Sequence, residues 1–94
     1  MESDWKTKLG EYRDEINEID KKLVDLLNQR AEIVMKVKKL KQKEDIPLYD
    51  ARREEELIES IAKYNKGPLY RDNITQIFES ILRNVQILEK DENL

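Results

Sequence analysis

A single apolar stripe runs through the first forty residues and limits what this chain can fold into. Its members recur at alternating steps of four and three: Trp5, Leu9, Tyr12, Ile16, Ile19, Leu23, Leu26, Arg30, Ile33, Val37 and Leu40. This heptad spacing is typical of one continuous helix, and neither Gly nor Pro interrupts it after Gly10. We therefore predict a first helix from about Ser3 to about Lys43, and we call the stripe the seam.

A second apolar set widens the stripe in the middle of this helix. Its members are Val24, Leu27, Ala31, Val34 and Met35. A stripe this wide predicts burial on more than one side, because a helix that is apolar over much of its circumference packs against several neighbours.

Two shorter helices follow. Pro47 disfavours helix at Ile46, and Asp50 is a good N-cap for a second helix from about Ala51 to Tyr64. The segment 65–68, Asn-Lys-Gly-Pro, predicts its end. A third helix begins near Asp72, carries apolar residues at helical spacing as far as Leu88, and leaves a frayed tail over 90–94. The prediction is an all-α fold with three helices in one domain, residues 1–94.

The length of the first helix predicts a partner chain. A helix of about 38 residues is ~57 Å long, whereas helices of about 14 and 18 residues span only ~21 and ~27 Å. A compact domain of this size is roughly 32 Å across, from its expected radius of gyration. The two short helices therefore leave part of the seam uncovered, which favours a homodimer in which long helices pair.

Composition excludes several function classes. The chain has no His and no Cys, so it offers no imidazole base, thiolate nucleophile, disulfide or conventional zinc site. A net charge of −3 disfavours a general nucleic-acid binder. No apolar run is long enough to span a membrane, and the N-terminal segment lacks a signal-peptide core. We expect a cytoplasmic protein with neither a nucleic-acid nor a membrane partner.

Four charged residues do not fit a plain helical bundle. Arg30 occupies the seam, where a buried guanidinium needs a carboxylate, a polar network or an anionic ligand. Lys41 lies three turns further along the same face, and Arg13 lies ~25 Å before Arg30, so that it could join Arg30 only from another subunit. Glu89 ends the apolar face of the third helix, where simple fraying is the plain alternative. Surrounding lysines make Lys41 part of a basic cluster, which is typical of solvated surface: Lys36, Lys38, Lys39, Lys41 and Lys43.

The ordered set of these segments resembles the all-helical class of chorismate mutase over nearly the whole chain. The matching text is YRDEINEIDKKLVDLLNQRAEIVMKVKKLK, then IPLYDARREEEL, then ITQIFESILRNVQILE. The resemblance implies an intertwined six-helix homodimer whose sites draw residues from both chains. It also implies conversion of chorismate to prephenate, in phenylalanine and tyrosine synthesis, with no cofactor and no metal.

The resemblance assigns roles position by position. Arg13 would reach a substrate carboxylate from the partner, Arg30 would bind a carboxylate within its own chain, and Lys41 would contact a carboxylate and the ether oxygen. Glu89 would donate a hydrogen bond to the ether oxygen, at a position that is commonly Gln in the family. Within the segment LYDARRE, two carboxylates would orient the substrate hydroxyl and one arginine would support the wall: Asp50, Glu54 and Arg53.

One position departs from the family pattern. Val85 stands where the family often has a small or polar residue, so a direct hydrogen bond from this side chain to the substrate is not possible. Either Asn84 or Gln86 compensates, or the site functions without that contact.

Two other functions fit parts of the pattern. A non-catalytic helical dimerisation module explains the seam equally well but leaves Arg30 and Glu89 incidental. A basic-helix nucleic-acid binder would use the lysines from Lys36 to Lys43, against the acidic remainder of the chain. Conversion of chorismate is the observation that separates these alternatives from an enzyme.

Overall fold

The structure, a computed structural model, describes residues 2–90, with side chains from Asp4 onward. Its regular structure over that range consists of three helices, α1 (Glu2–Lys43), α2 (Ala51–Tyr64) and α3 (Arg71–Lys90). The all-α prediction is confirmed, and so are the helix positions to within about one residue. The predicted frayed tail includes Lys90, which ends α3, while 91–94 lie outside the described residues.

The helix ends form where local chemistry predicts them. The side chain of Asp50 accepts a hydrogen bond from the Arg53 amide at 3.1 Å and caps α2, as expected. Helix α3 begins one residue before the predicted start because Asn73 Oδ1 accepts a hydrogen bond from the Tyr70 amide at 3.1 Å. Tyr70 is thus the N-cap of α3. Its backbone amide donates to the side chain of the residue three positions later, which is the second bond of a capping box.

The connection after α1 folds back over the last turn of that helix. Asp45 has a φ of 56°, the left-handed conformation that ends many helices. The Asp45 amide donates to the Gln42 carbonyl at 3.3 Å, and the Ile46 amide donates to the Lys41 carbonyl at 2.8 Å. These two bonds form a Schellman motif, with Asp in the place that Gly usually takes. The motif directs residues 46–50 back along α1 toward the start of α2.

The chain divides into two compact units, one through Glu32 and one from Ile33 onward. The first unit consists of α1 as far as Glu32, and its seam residues from Trp5 to Leu26 are exposed. Of the second apolar set, Val24 and Leu27 are exposed and the other three residues are half-buried. Burial of the middle of α1 on several sides therefore stays a prediction that needs more than one copy of the chain.

The second unit has an apolar centre of its own. Helices α2 and α3 pack together there, and Ala62 of α2 is buried. Both helices also carry half-buried apolar side chains at helical spacing, namely Leu57, Ile58, Ile61, Ile74, Phe78, Ile81, Leu82, Val85 and Leu88. The helical spacing of these residues in the sequence thus identifies the faces on which α2 and α3 meet. No described helix is long and apolar enough to cross a membrane.

Candidate active site

Lys41 is half-buried near the end of α1, and its head group holds the connection to α2. Its Nζ donates a hydrogen bond to the Leu48 carbonyl at 3.1 Å, while its own carbonyl accepts from the Ile46 amide. Lys41 therefore contacts the connection with both its backbone and its side chain. An ammonium group has three donors, so this bond leaves donors for an anionic ligand.

Glu89 lies in α3, one residue before the end of the helix, and is half-buried. It lines a cleft of about 380 Å³ together with Leu48, Tyr49, Gln86 and Lys90. Leu48 is also the residue whose carbonyl binds Lys41. The structure thus brings the connection held by Lys41 and the carboxyl group of Glu89 to one cleft of the second unit.

The predicted hydroxyl-binding group lies at the start of α2. Asp50 and Arg53 are exposed, and Glu54 is half-buried at one wall of a neighbouring cleft of about 440 Å³. The Asp50 carboxylate is engaged by the Arg53 amide through one oxygen, Oδ1. Arg52, expected to point elsewhere, is exposed and forms an ion pair with Glu56 at 3.1 Å.

Asn84 and Gln86 flank Val85, and their side-chain amides bind different partners. Val85 itself is half-buried on α3. The Asn84 amide donates back into its own helix, to the Ser80 carbonyl at 2.7 Å. The Gln86 amide instead reaches α2 and donates to Glu54 Oε1 at 3.4 Å. Of the two residues considered as substitutes for a polar residue at position 85, Gln86 is the one that contacts a predicted site residue.

The first unit contains the two predicted carboxylate-binding arginines. Arg13 is exposed on α1. Arg30 is half-buried, and its Nη1 atom is buried without a hydrogen-bond acceptor among the described residues. A buried guanidinium nitrogen without an acceptor carries a desolvation cost that an anionic ligand would relieve.

One expectation about the lysine cluster is wrong. Lys38 is not solvated surface, because only 3% of it is exposed and its Nζ donates to the Leu88 carbonyl at 3.0 Å. The signal was present in the sequence, since Lys38 follows Val34 and Met35 at steps of four and three and so continues the second apolar set. A lysine at such a position buries its stem and must find an acceptor for its ammonium group.

Comparisons with known proteins identify the family. Residues 12–90 match the family described as chorismate mutase type II. A chorismate mutase of Methanocaldococcus jannaschii is 32% identical over 84 residues, covering 88% of this chain and 85% of that protein. A bifunctional chorismate mutase/prephenate dehydratase of Aquifex aeolicus is 33% identical over 86 residues, covering 87% of this chain.

Solved structures give the same result. A chorismate mutase from Thermus thermophilus superimposes with a TM-score of 0.87 at 26% identity, covering 90% of this chain and 97% of that one. The fold is therefore that of the all-helical mutase class, with three helices in the chain. The chain belongs to the chorismate mutase type II family. It spans about a quarter of the length of bifunctional relatives, 24% of the Aquifex protein and 26% of one from Buchnera.

Proposed function

We propose that this chain converts chorismate to prephenate. The observation that carries the proposal is the match to the family over residues 12–90, which includes every residue that we assign to the site. The relative from Methanocaldococcus jannaschii, of which the chain covers 85%, is named chorismate mutase.

The chemistry suits a chain without His and Cys. Within one molecule of chorismate a C–O bond breaks while a C–C bond forms, in a concerted [3,3] rearrangement. No proton, electron pair or group passes to the protein. The protein has to hold a flexible dicarboxylate in its reactive conformer and stabilise negative charge that develops on the ether oxygen. Fixed cationic and hydrogen-bonding side chains suffice for both tasks.

Lys41 and Glu89 are proposed to act on the ether oxygen. Lys41 is half-buried, and the Leu48 carbonyl at 3.1 Å already orients its ammonium group. The side chain therefore loses less conformational entropy when substrate binds. Glu89 lines the cleft that Leu48 also lines. A protonated carboxyl group at this position would donate to the ether oxygen, and Lys41 would add a full positive charge.

Arg30 and Arg13 are proposed to bind the two carboxylates. The buried Nη1 of Arg30 has no acceptor among the described residues, and a substrate carboxylate would supply one. A guanidinium group suits this role because it binds a carboxylate through two parallel hydrogen bonds. Arg13 would act in the site of the partner subunit, as the resemblance implies.

Asp50 and Glu54 are proposed to orient the substrate hydroxyl, with Arg53 supporting the wall. Capping of α2 occupies Asp50 Oδ1, and the other oxygen of that carboxylate is available as an acceptor. The Gln86 amide holds Glu54 from α3. These fixed acceptors would select the substrate conformer without taking part in bond breaking.

We further propose an intertwined homodimer. The seam side chains of the first unit are exposed from Trp5 to Leu26, with Tyr12 and Leu26 each 59% exposed. An apolar stripe of this length is typical of a surface that another chain covers. The same stripe on a second copy is the simplest complement, because a two-fold axis pairs identical surfaces. The single domain and the cytoplasmic location stay predictions.

The test is to add chorismate to the purified chain and follow the loss of its ultraviolet absorbance. We expect saturable loss of chorismate with prephenate as the product. Arg30→Ala tests the proposed site in this assay. Arg52→Ala is its matched control, because Arg52 is exposed and paired with Glu56. A folded chain that leaves chorismate unchanged would overturn the proposal and favour a non-catalytic dimerisation module.

A further inference from the structure

Lys38 is a buried lysine to which no role has yet been assigned. It is the charged residue with the least exposure among residues 4–90, at 3%, and its Nζ lies 3.0 Å from the Leu88 carbonyl. Lys38 and Leu88 are fifty residues apart in sequence. The contact therefore links the end of α1 to the end of α3 within the second unit.

The acceptor explains why a lysine can be buried there. Leu88 is among the last four residues of α3, which ends at Lys90, and the carbonyls of a last turn have no amide partner within the helix. The negative end of the helix dipole lies at the same place and attracts a cation. Lys38 satisfies a carbonyl that would otherwise lack a helical partner, and the carbonyl offsets part of the cost of burying the ammonium group.

The neighbours of this contact are the residues assigned to the ether oxygen. Lys38 and Lys41 are three residues apart on α1 and so lie on the same side of the helix. Lys41 binds the connection at Leu48, while Lys38 binds α3 at the residue before Glu89. Leu48 and Glu89 line the same cleft. Two lysines of one helical face thus hold two walls of that cleft.

We propose that Lys38 is a positioning residue, whose hydrogen bond to the Leu88 carbonyl holds the last turn of α3 and with it Glu89. This inference rests on the proposed function for its link to activity. Glu89 lies one residue before the helix end, where helices fray most readily. Fixing the preceding carbonyl limits that motion and keeps the carboxyl group at one distance from the ether oxygen.

The first test replaces Lys38 by Met, which keeps the length of the stem and removes the donor. We expect K38M to lower kcat by about tenfold to a hundredfold, the effect of a misplaced catalytic group, with KM within about twofold of wild type. K39M is the matched control, since Lys39 is the exposed neighbour and loses the same charge. We expect K39M to leave both constants within about twofold, whereas an equal loss of kcat in K39M would overturn the proposal.

The second test separates positioning from general stability. In an E89A background, which has no carboxyl group to position, K38M should lower kcat by less than about twofold. A loss as large as in the wild-type background would show that Lys38 does not act through Glu89. K38R keeps a donor and should regain most of the activity, so an arginine variant as impaired as K38M would also count against the proposal.

Hydrogen exchange gives a readout that needs no activity. We expect faster amide exchange over 85–90 in K38M than in wild type or K39M, with α2 unchanged. If wild type proves inactive on chorismate, the proposed function fails. The exchange measurement still tests whether the hydrogen bond from Lys38 to the Leu88 carbonyl holds the end of α3. Unchanged exchange over 85–90 would overturn it. If K38M does not fold, K38L, which is shorter and also has no donor, takes its place, and loss of folding in both would mean a purely structural role.

Discussion

The two units of this chain bury apolar side chains in different ways. In the unit that begins at Ile33, α2 and α3 pack together, and Ala62 of α2 is only 6% exposed. In the unit that ends at Glu32, a single helix carries a seam whose leucines and isoleucines are largely exposed, as Leu23 is at 52%. Apolar residues at helical spacing thus pack between helices in one unit and form an open face in the other. The comparison teaches that the second unit has packing of its own, whereas the seam of the first unit would be covered only in the homodimer that we propose.

The largest effect should come from the arginines of the first unit. Replacing Arg13 or Arg30 by Ala removes a carboxylate-binding group, and we expect each to lower activity by about a hundredfold or more. When the two inactive proteins are unfolded together and refolded, heterodimers should recover activity. One of their two sites would contain both arginines and the other neither, which gives at most about a quarter of wild-type activity after random pairing.

This experiment tests whether the first unit acts only together with a second chain. Recovery means that the open face of the first unit brings residues of two chains together. If the mixture stays inactive although subunit exchange is confirmed, the two arginines do not act in a site shared between chains. Arg52→Ala mixed in the same way serves as the control for the refolding procedure itself, because Arg52 pairs with Glu56 on the surface of α2.

The next effect compares one leucine from each unit. Leu23 of the seam and Leu69 of the connection between α2 and α3 are almost equally exposed in the chain by itself, at 52% and 50%. If a partner covers the seam, Leu23→Ala should lower the free energy of unfolding by about 2–5 kcal/mol. Leu69→Ala should lower it by about 0.5 kcal/mol or less, as for a surface site. Chemical denaturation measures both, and equal small losses would show that the seam stays open.

The third effect concerns protonation of Glu89 in the second unit. Only the protonated carboxyl group can donate to the ether oxygen, so turnover should fall as rising pH ionises it. Glu89→Gln keeps a donor at every pH and should flatten that decline and raise activity at neutral pH. The comparison between the two proteins is made from acid to neutral pH.

Glu79→Gln is the control for this measurement. Glu79 is an exposed glutamate of α3 that lines the other cleft, and the change removes the same charge from the same helix. Its pH profile should match that of wild type. A wild-type profile that is level from acid to neutral, and that Glu89→Gln leaves unchanged, would assign the ether oxygen to Lys41 alone.

The smallest effect concerns Gln86, which links α3 to α2. Its amide lies 3.4 Å from Glu54 Oε1, and a hydrogen bond of this kind contributes about 0.5–1.5 kcal/mol. Gln86→Met should therefore raise KM by a few fold and lower the free energy of unfolding by no more than about 1.5 kcal/mol. Asn84→Met, which removes an amide that binds Ser80 in its own helix, should leave KM unchanged. Equal KM values for the two variants would mean that Glu54 needs no support from α3.

The sequence predicted much of the fold and part of the site. Heptad spacing, Pro47 and the capping residue Asp50 located the helices, because each of these signals acts within a few residues of where it stands. The same local spacing predicted that Lys41 and Glu89 lie on apolar faces, and both are half-buried. The buried position of Lys38 was missed, since a run of lysines is usually solvated and its acceptor is a backbone carbonyl fifty residues away.

Helix length, helix bounds and the open seam were therefore determined by the sequence alone. They depend on backbone hydrogen bonds and on side-chain spacing along one helix, and both act between residues that are close in sequence. Tertiary structure decided which donor meets which acceptor between helices, as in the pairs Gln86 with Glu54 and Lys38 with Leu88. Long side chains have several rotamers, and only the packing of α2, α3 and the end of α1 selects the one that reaches a distant acceptor.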